Sequence, residues 1–487
     1  MAYTHADRLS ALDASFLALE DPSSHMHIGS VAIFETGPLG TGEGGVEIER
    51  VRELMEAGLH RMPRYRQRIA RVPLFDHPVW VDDAHFNLAY HVRHTHLPRP
   101  GDERQLKRLA GRLMSQQLDR GKPLWEMWVV EGLAGGGFAI ITKVHHCMID
   151  GIGSVELMGS VMRPTPEPDP TLAEPPPRWL PRPAPGGFRL LMEELSHRSV
   201  APLSVLATTG ETVRAPRATL RRAAGALTAL AEAVGVGVSA SSPTPFNVEI
   251  GPHRRFDWTT MDLAEMRAVR TRLGGTVNDV GLAVLSGALR RFLRRRGISV
   301  DGMDFRAMLP VNVRTDTDRR ELGNRVAMLV VRLPLDERDP CRRLERVVTE
   351  TRTAKQSHQA LGMQTLEELS DRTFTTLLTQ FARLAARAQP YNLVVTNVPG
   401  PQFPVYVEGA RMVACHPLVP LFQNQALGVA LFSYDGRVEW GFNADWDAVP
   451  DLHELVEAVN AEFALLRDAA SQVPDPAAAG AAVSGGA

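Results

Sequence analysis

A mixed α/β or α+β protein in two domains is what this sequence predicts, on three observations. Helical and strand periodicities alternate along the chain, its 487 residues exceed what one hydrophobic core usually organises, and a proline-dense segment separates the halves. Between Pro164 and Pro185, 22 residues hold ten of the chain's 35 prolines. That density removes backbone donors and fixes φ, so an extended connector is expected there rather than helix or sheet. The expected division is a first domain over 1–163, connector and crossover helices over 164–245, a second domain over 246–471, and a frayed Ala/Gly/Pro/Ser tail over 472–487.

In the first half, "HIGSVAIFE" (27–35) is β-rich and alternating, while "VEIERVRELMEAGLHRM" (46–62) and "RQLKRLAGRLMSQQLD" (104–119) carry helical spacing. "LWEMWVVEGL" (124–133) and "GGFAIITKVHH" (136–146) read as two strands joined by a glycine-rich turn. Past the connector, 188–238 reads as mostly helical, with a basic run "RAPRATLRR" (214–222) before an apolar stretch. A solvated helix face is the plain reading of that run, and a dock on a lipid surface is the functional one. The second half predicts a helix over 276–297, further helix through 339–389, and strands around 305–314, 325–335, 391–400, 426–436 and 437–446.

Composition excludes several classes. A formal charge of −2 gives no global attraction to nucleic acid or anionic lipid, so any membrane contact is local. Cys147, Cys341 and Cys415 are odd in number, widely spaced and without a CxxC pair, which suggests neither a disulfide framework nor a zinc site, and a reducing cytoplasm is the simplest setting. The N-terminus lacks the pattern of a signal peptide, and no window approaches the roughly 18 apolar residues of a membrane span. The chain is expected to touch a bilayer at most. G-x-S-x-G, P-loop and H-E-x-x-H signatures are missing.

The run "KVHHCMIDGIGS" (143–154) carries the chemistry. If the strand extends through it, the two-residue period puts Ile140, Thr142, Val144 and His146 on one face and His145 on the other, so one histidine faces a given cleft. Imidazole titrates near neutrality and takes a proton from a hydroxyl or thiol as that group attacks a carbonyl. Asp150 and Gly151 suit a tight turn after the strand, bringing the carboxylate near the base or near a bracing arginine. Metal ligation by His145, His146 and Asp150 is disfavoured because adjacent strand residues point apart, and no metal is expected. His91, His94 and His96 in "YHVRHTHLP" are read as exposed strand histidines rather than ligands. Cys147 is read as a packing residue rather than a nucleophile.

Taken with "LSALDASFLALED" (9–21), "LDRGKPLWEMWVVEGL" (118–133), "TVNDVGLAVLSGALR" (276–290), "ELGNRVAMLVVRLPLDE" (321–337), "NLVVTNVPGP" (392–401) and the long match over 420–452, the motif resembles the bacterial wax ester synthase/acyl-CoA:diacylglycerol acyltransferases. These lie within the HHxxxDG superfamily that includes chloramphenicol acetyltransferase. The resemblance runs almost end to end. It implies two chloramphenicol-acetyltransferase-like domains, each a mixed sheet flanked by helices, with the active-site channel between them. It implies His146 as general base, His145 as its less critical neighbour, and Asp150 as a structural aspartate, with Arg314 a candidate partner. Acyl-CoA enters as co-substrate, no cofactor is implied, and diacylglycerol or a fatty alcohol is acylated directly without an acyl-enzyme. Thr396 and Asn397 are candidate oxyanion or channel residues. Asn278 is a rival, and the plain reading of Asn278 and Asp279 is that they cap or brace their helix. Expected partners are long-chain acyl-CoA, the acceptor, and a membrane or lipid-droplet surface touched peripherally from the cytoplasm, with no nucleic acid. The alternatives are a superfamily enzyme acting on a polyketide or glycolipid hydroxyl, and a non-catalytic lipid-surface protein.

Overall fold

The computed structural model describes residues 5–41, 45–148, 161–167, 179–196, 240–312, 326–356 and 390–473. The first half contains β1 (Asp7–Arg8), α1 (Ala11–Leu19), β2 (His27–Phe34), α2 (Ile48–Gly58), β3 (Gln67–Arg71), β4 (Pro78–Asp82), α3 (Leu88–His91), β5 (Val92–His96), α4 (Glu103–Met114), β6 (Trp125–Glu131) and β7 (Phe138–His145). The second contains β8 (Arg254–Asp262), α5 (Leu263–Leu273), α6 (Val277–Arg295), β9 (Phe305–Asn312), β10 (Val326–Leu333), α7 (Pro340–Gln356), β11 (Leu393–Pro399), β12 (Tyr406–Val407), β13 (Ala410–Leu418), β14 (Leu427–Tyr434), β15 (Arg437–Asp445) and α8 (Leu452–Ser471). The mixed α/β class with two sheet-bearing domains is therefore the observed one. The basic run at 214–222 and the tail beyond Val473 lie outside the described residues.

One six-stranded sheet is ordered β12-β13-β2-β7-β6-β5, and the other β10-β9-β11-β14-β15-β8. β7 is buried along its whole length, as a central strand covered on both faces must be, which explains the unbroken apolar run "FAII" in its sequence. β12 and β13 come from the second half of the chain yet pair antiparallel into the first sheet, with Cys415 opposite Ala32 and His416 opposite Val31. The sheets meet closely. A Cβ on Gly441 would lie 1.7 Å from the Pro417 carbonyl oxygen, so only glycine permits that approach.

α4 also ties the halves together. Leu106, Leu109 and Leu113 pack with Phe256, Trp258 and Leu418, Lys107 Nζ lies 2.6 Å from Asp257 Oδ1, and the Arg254 amide donates to Ser115 Oγ at 2.8 Å. The helix stops at Met114, short of the predicted 119. Ser115 Oγ donates back to the Gly111 carbonyl, and the Lys143 ammonium takes the carbonyls of Leu113 (3.1 Å) and Gln116 (3.0 Å). A cation at a helix C-terminus satisfies orphan carbonyls and complements the helix dipole.

In the second half, α6 is buried through most of its length between the sheet and α7 and α8. The register of β11, β14 and β15 sets two faces. Leu431 and Trp440 lie opposite one another, and the space beside Gly281 of α6 is filled by both. The alternate positions Ala430 and Gly441, with Gly428, therefore face away from α6, toward β13 and the first half.

Candidate active site

The motif strand runs only to His145. His146 begins a 3-10 turn (His146–Met148), its amide donating to the Met26 carbonyl at 2.8 Å. The regular strand period thus stops one residue before His146, and the turn sets its ring against Phe16 of α1, which packs on the same core cluster as Val144. The two rings go to different surroundings, His146 to Phe16 and His145 to Glu20 and His27.

His145 is fully buried. Its Nδ1 accepts the Cys147 amide at 3.1 Å, which places the proton on Nε2, 3.6 Å from Glu20 Oε2. Glu20, at the C-terminal cap of α1, is almost completely buried. It also lies 3.5 Å from His27 Nε2 and receives the Arg120 guanidinium at 3.0 Å. Burial alone would raise the Glu20 carboxyl, but His145, His27 and Arg120 together hold it well below the usual carboxylate range. Burial pushes His27 down to about 3, so it is neutral at pH 7.

His146 is different. Its ring stacks on Phe16 with centroids 4.0 Å apart, and its Nδ1 is shielded from water with no hydrogen-bond partner among the described residues. Burial, helped by His145 and opposed by its own carbonyl, brings its pKa down to about 4. At neutral pH it is an uncharged imidazole able to accept a proton. Below it, Lys143 is fully buried with Glu126 at 3.3 Å, which fixes the strand carrying the motif. Cys147 is buried and its thiol is pushed well above its ordinary value by burial. Asp150, Gly151 and Arg314 lie outside the described residues.

The second-half candidates divide by geometry. Asp279 is buried, accepting the Thr276 amide and hydroxyl at 2.8 Å each on Oδ2 and the Thr351 hydroxyl at 2.8 Å on Oδ1. With the Asp279 amide donating to Thr276 Oγ1 at 3.2 Å, the bond from the Thr276 amide closes a capping box at the start of α6. Asn397 Nδ2 donates to Asn278 Oδ1 at 3.2 Å, bringing two candidates together on the α6 side of the sheet. Thr396 lies opposite Ala430, on the other face. β9 and β11 pair only at Ala307↔Leu393 and Met308↔Val394, leaving Thr396 and the exposed Asn397 beyond the paired stretch.

The histidines at 91, 94 and 96 do not form a group. His91 is buried, a correction to the exposed reading: it stacks on Trp125 (4.7 Å) and Phe86 (5.2 Å), with Nδ1 2.8 Å from the Trp125 carbonyl. His94 pairs with Glu131, and His96 reaches the Leu97 carbonyl. Among the described residues no group of three or more His, Cys, Asp or Glu is placed to hold a metal ion, and no helix is long and apolar enough to cross a membrane.

Sequence reasoning missed Glu20, His27 and Phe16 as parts of the site. The signal was present in "LDASFLALED" and "HMHIGS", whose acidic and imidazole groups fall among apolar positions at the ends of buried elements.

Residues 9–281 match the family profile described as the wax ester synthase/diacylglycerol acyltransferase catalytic domain, and residues 322–467 match the WS/DGAT C-terminal domain. A putative diacylglycerol O-acyltransferase of Mycobacterium tuberculosis H37Rv is 32% identical over 458 residues, covering 92% of this chain and 87% of that one. A probable diacylglycerol O-acyltransferase, tgs1, of the same strain is 32% identical over 471 residues, 94% of this chain and 96% of that one. Among solved structures, the wax ester synthase/diacylglycerol acyltransferase from Marinobacter aquaeolei VT8 superposes with a TM-score of 0.66 at 25% identity, covering 95% of this chain and all of that one. The starter condensation domain of rhizomide synthetase shares the fold, with a TM-score of 0.55 at 14% identity over 97% of this chain and 96% of that one.

Proposed function

Because the chain belongs to the wax ester synthase/diacylglycerol acyltransferase family and is an acyltransferase, we propose that it esterifies diacylglycerol, and long-chain alcohols, with long-chain acyl-CoA, using His146 as the base. The observation that carries this reading is the contrast within one dipeptide: His145 is fully buried, its Nδ1 accepting the Cys147 amide and its Nε2 facing the Glu20 carboxylate at 3.6 Å, whereas His146 is neutral and only half-buried.

In this mechanism the His146 imidazole takes the hydroxyl proton as the acceptor oxygen attacks the thioester carbonyl. The tetrahedral oxyanion collapses, the C–S bond breaks, and the imidazolium returns the proton to the CoA thiolate. No acyl-enzyme forms, and the high pKa of the buried Cys147 thiol fits its exclusion as a nucleophile. Thr396 is the preferred oxyanion donor, since its face of β11 is the one turned toward the first half, while Asn397 and Asn278 bond each other. Asp279 serves α6. Acceptors of this class reside in lipid, so the enzyme works in peripheral contact with a membrane or lipid-droplet surface. No cofactor enters the reaction.

The test is CoA release from palmitoyl-CoA with no acceptor, diacylglycerol or hexadecanol, for the wild type and His146→Ala. Acceptor-dependent release lost in the variant supports the proposal. Release that persists undiminished in His146→Ala, or is absent with both acceptors, rejects it.

A further inference from the structure

The outer face of the second half carries a concentration of positive charge that the acyl-transfer chemistry does not use. A surface pocket of about 520 Å³ is lined by Arg290, Arg291, Arg294, Arg295, Arg338 and Arg343, with Glu462 as its one acidic side chain. It is formed by the C-terminal half of α6, the start of α7 and α8. Because α6 packs on the Leu431 and Trp440 face of the sheet, the sheet stands between this pocket and β13 with the first half. It is a separate site.

The charges do not cancel locally. Glu462 is already saturated, its Oε1 accepting Arg291 at 2.8 Å and its Oε2 accepting the buried Arg343 at 2.5 Å. Arg295 pairs with Glu454. Among the described residues Arg290 donates only to main-chain carbonyls, those of Leu335 at 3.0 Å and Asp336 at 3.4 Å, and the Asp336 carboxylate is taken by Arg346. Arg294 and Arg338 have no acidic partner among the described residues and are exposed. Both also repel Arg290, whose pKa is lowered first by burial and then by these two.

On the helix, 290/294 and 291/295 are like-charged i, i+4 pairs, each of which costs a few tenths of a kcal/mol. A solvated helix face normally alternates signs to avoid that cost. Here "LRRFLRRRG" concentrates it, and in a concave site, in a chain whose net charge is −2.

We propose that this pocket is an anion site for a multiply charged phosphate group, gripped by Arg290, Arg294 and Arg338. Guanidinium groups match phosphate oxygens in bidentate geometry, and Arg343 with Glu462 forms the fixed floor beneath them. The phosphate is supplied either by a soluble pyrophosphate-bearing metabolite or by an anionic lipid headgroup, and the recognising chemistry is the same. The proposal does not depend on the His146 mechanism.

The experiment uses the full chain and two probes: inorganic pyrophosphate followed by calorimetry, and sedimentation with vesicles of phosphatidylcholine alone or with phosphatidic acid added. The test variant is Arg294→Ala/Arg338→Ala, and the control Arg267→Ala/Arg270→Ala removes the same charge from exposed positions on α5. Saturable binding of either probe, weakened at least tenfold in the test variant and unchanged in the control, supports the site. Binding of pyrophosphate identifies a soluble ligand, and binding of phosphatidic acid vesicles alone identifies the headgroup. No binding of either probe overturns the proposal. Equal weakening in the two variants does so as well, since it would report only net charge. Because all four positions are exposed, both variants are expected to fold.

Discussion

If burial against Phe16 is what keeps His146 neutral, opening that contact must move the acid limb of the pH–rate profile. With a pKa of about 4, only ~1% of His146 is protonated at pH 6 and ~10% at pH 5, so kcat/KM of the wild type should be nearly flat from pH 5 to 8. Phe16→Ala removes the ring stacked 4.0 Å from the imidazole and admits water, relieving the burial that is the largest cause of the shift. The limit of that relief is the ordinary value of 6.5. A variant at the limit would have about a tenth of its base active at pH 5.5, where the wild type retains nearly all of it. The assay is ester formed from palmitoyl-CoA and diacylglycerol, quantified by chromatography across that pH range so that no thiol dye limits the acid side. A wild-type limb near pH 6.5 would refute the burial argument. A flat profile in an active Phe16→Ala would show that the stack is not its source.

Other consequences are sharper in stability than in rate. Asp279→Ala leaves the Thr276 amide without its acceptor and should cost about 2–4 kcal/mol in denaturant unfolding. Asp279→Asn retains one oxygen and should cost about 1 kcal/mol with kcat within a few-fold, so a folded Asp279→Asn that loses a hundredfold in kcat would make the aspartate catalytic instead. Thr396→Val, isosteric and lacking the hydroxyl, should lower kcat about 10²–10³-fold with unchanged melting if the hydroxyl meets the oxyanion. Glu439, fully buried between the sheets 3.3 Å from His416, has its carboxyl raised by burial to about 7 from 4.5. Its contribution to stability is complete below pH 4.5 and is lost as pH rises through about 7, a change on the order of 3 kcal/mol. Glu439→Gln should therefore melt like the wild type at pH 5 and above it at pH 8, and equal melting at both values would remove the linkage.

Strands β2, β6 and β7, the start of α6, and the two-domain α/β class were legible because they depend on local periodicity and capping. Thr276 and Asp279 sit three residues apart, so their box can be read from "TVND". The Glu20–His145 contact spans 125 positions, and nothing local in either stretch announces the other. The end of α4 was misjudged for a related reason: the ammonium that stops it belongs to Lys143, on a strand far along the chain. The burial of His91 is likewise not announced by "YHVRHTHLP": the chain turns through α3 there and packs the ring against Trp125, which lies 34 positions further on.

The borrowed strands have a consequence for biosynthesis. Until Ala410–Leu418 has emerged from the ribosome, the β2 edge of the first sheet has no partner, although β2 and β7 are complete some 270 residues earlier. An unfilled edge beside a buried apolar strand invites pairing with another nascent chain, so the first half waits in a vulnerable state for the last third of the sequence. Expressed alone, residues 1–163 should aggregate, and they should be rescued by co-expressing the remainder.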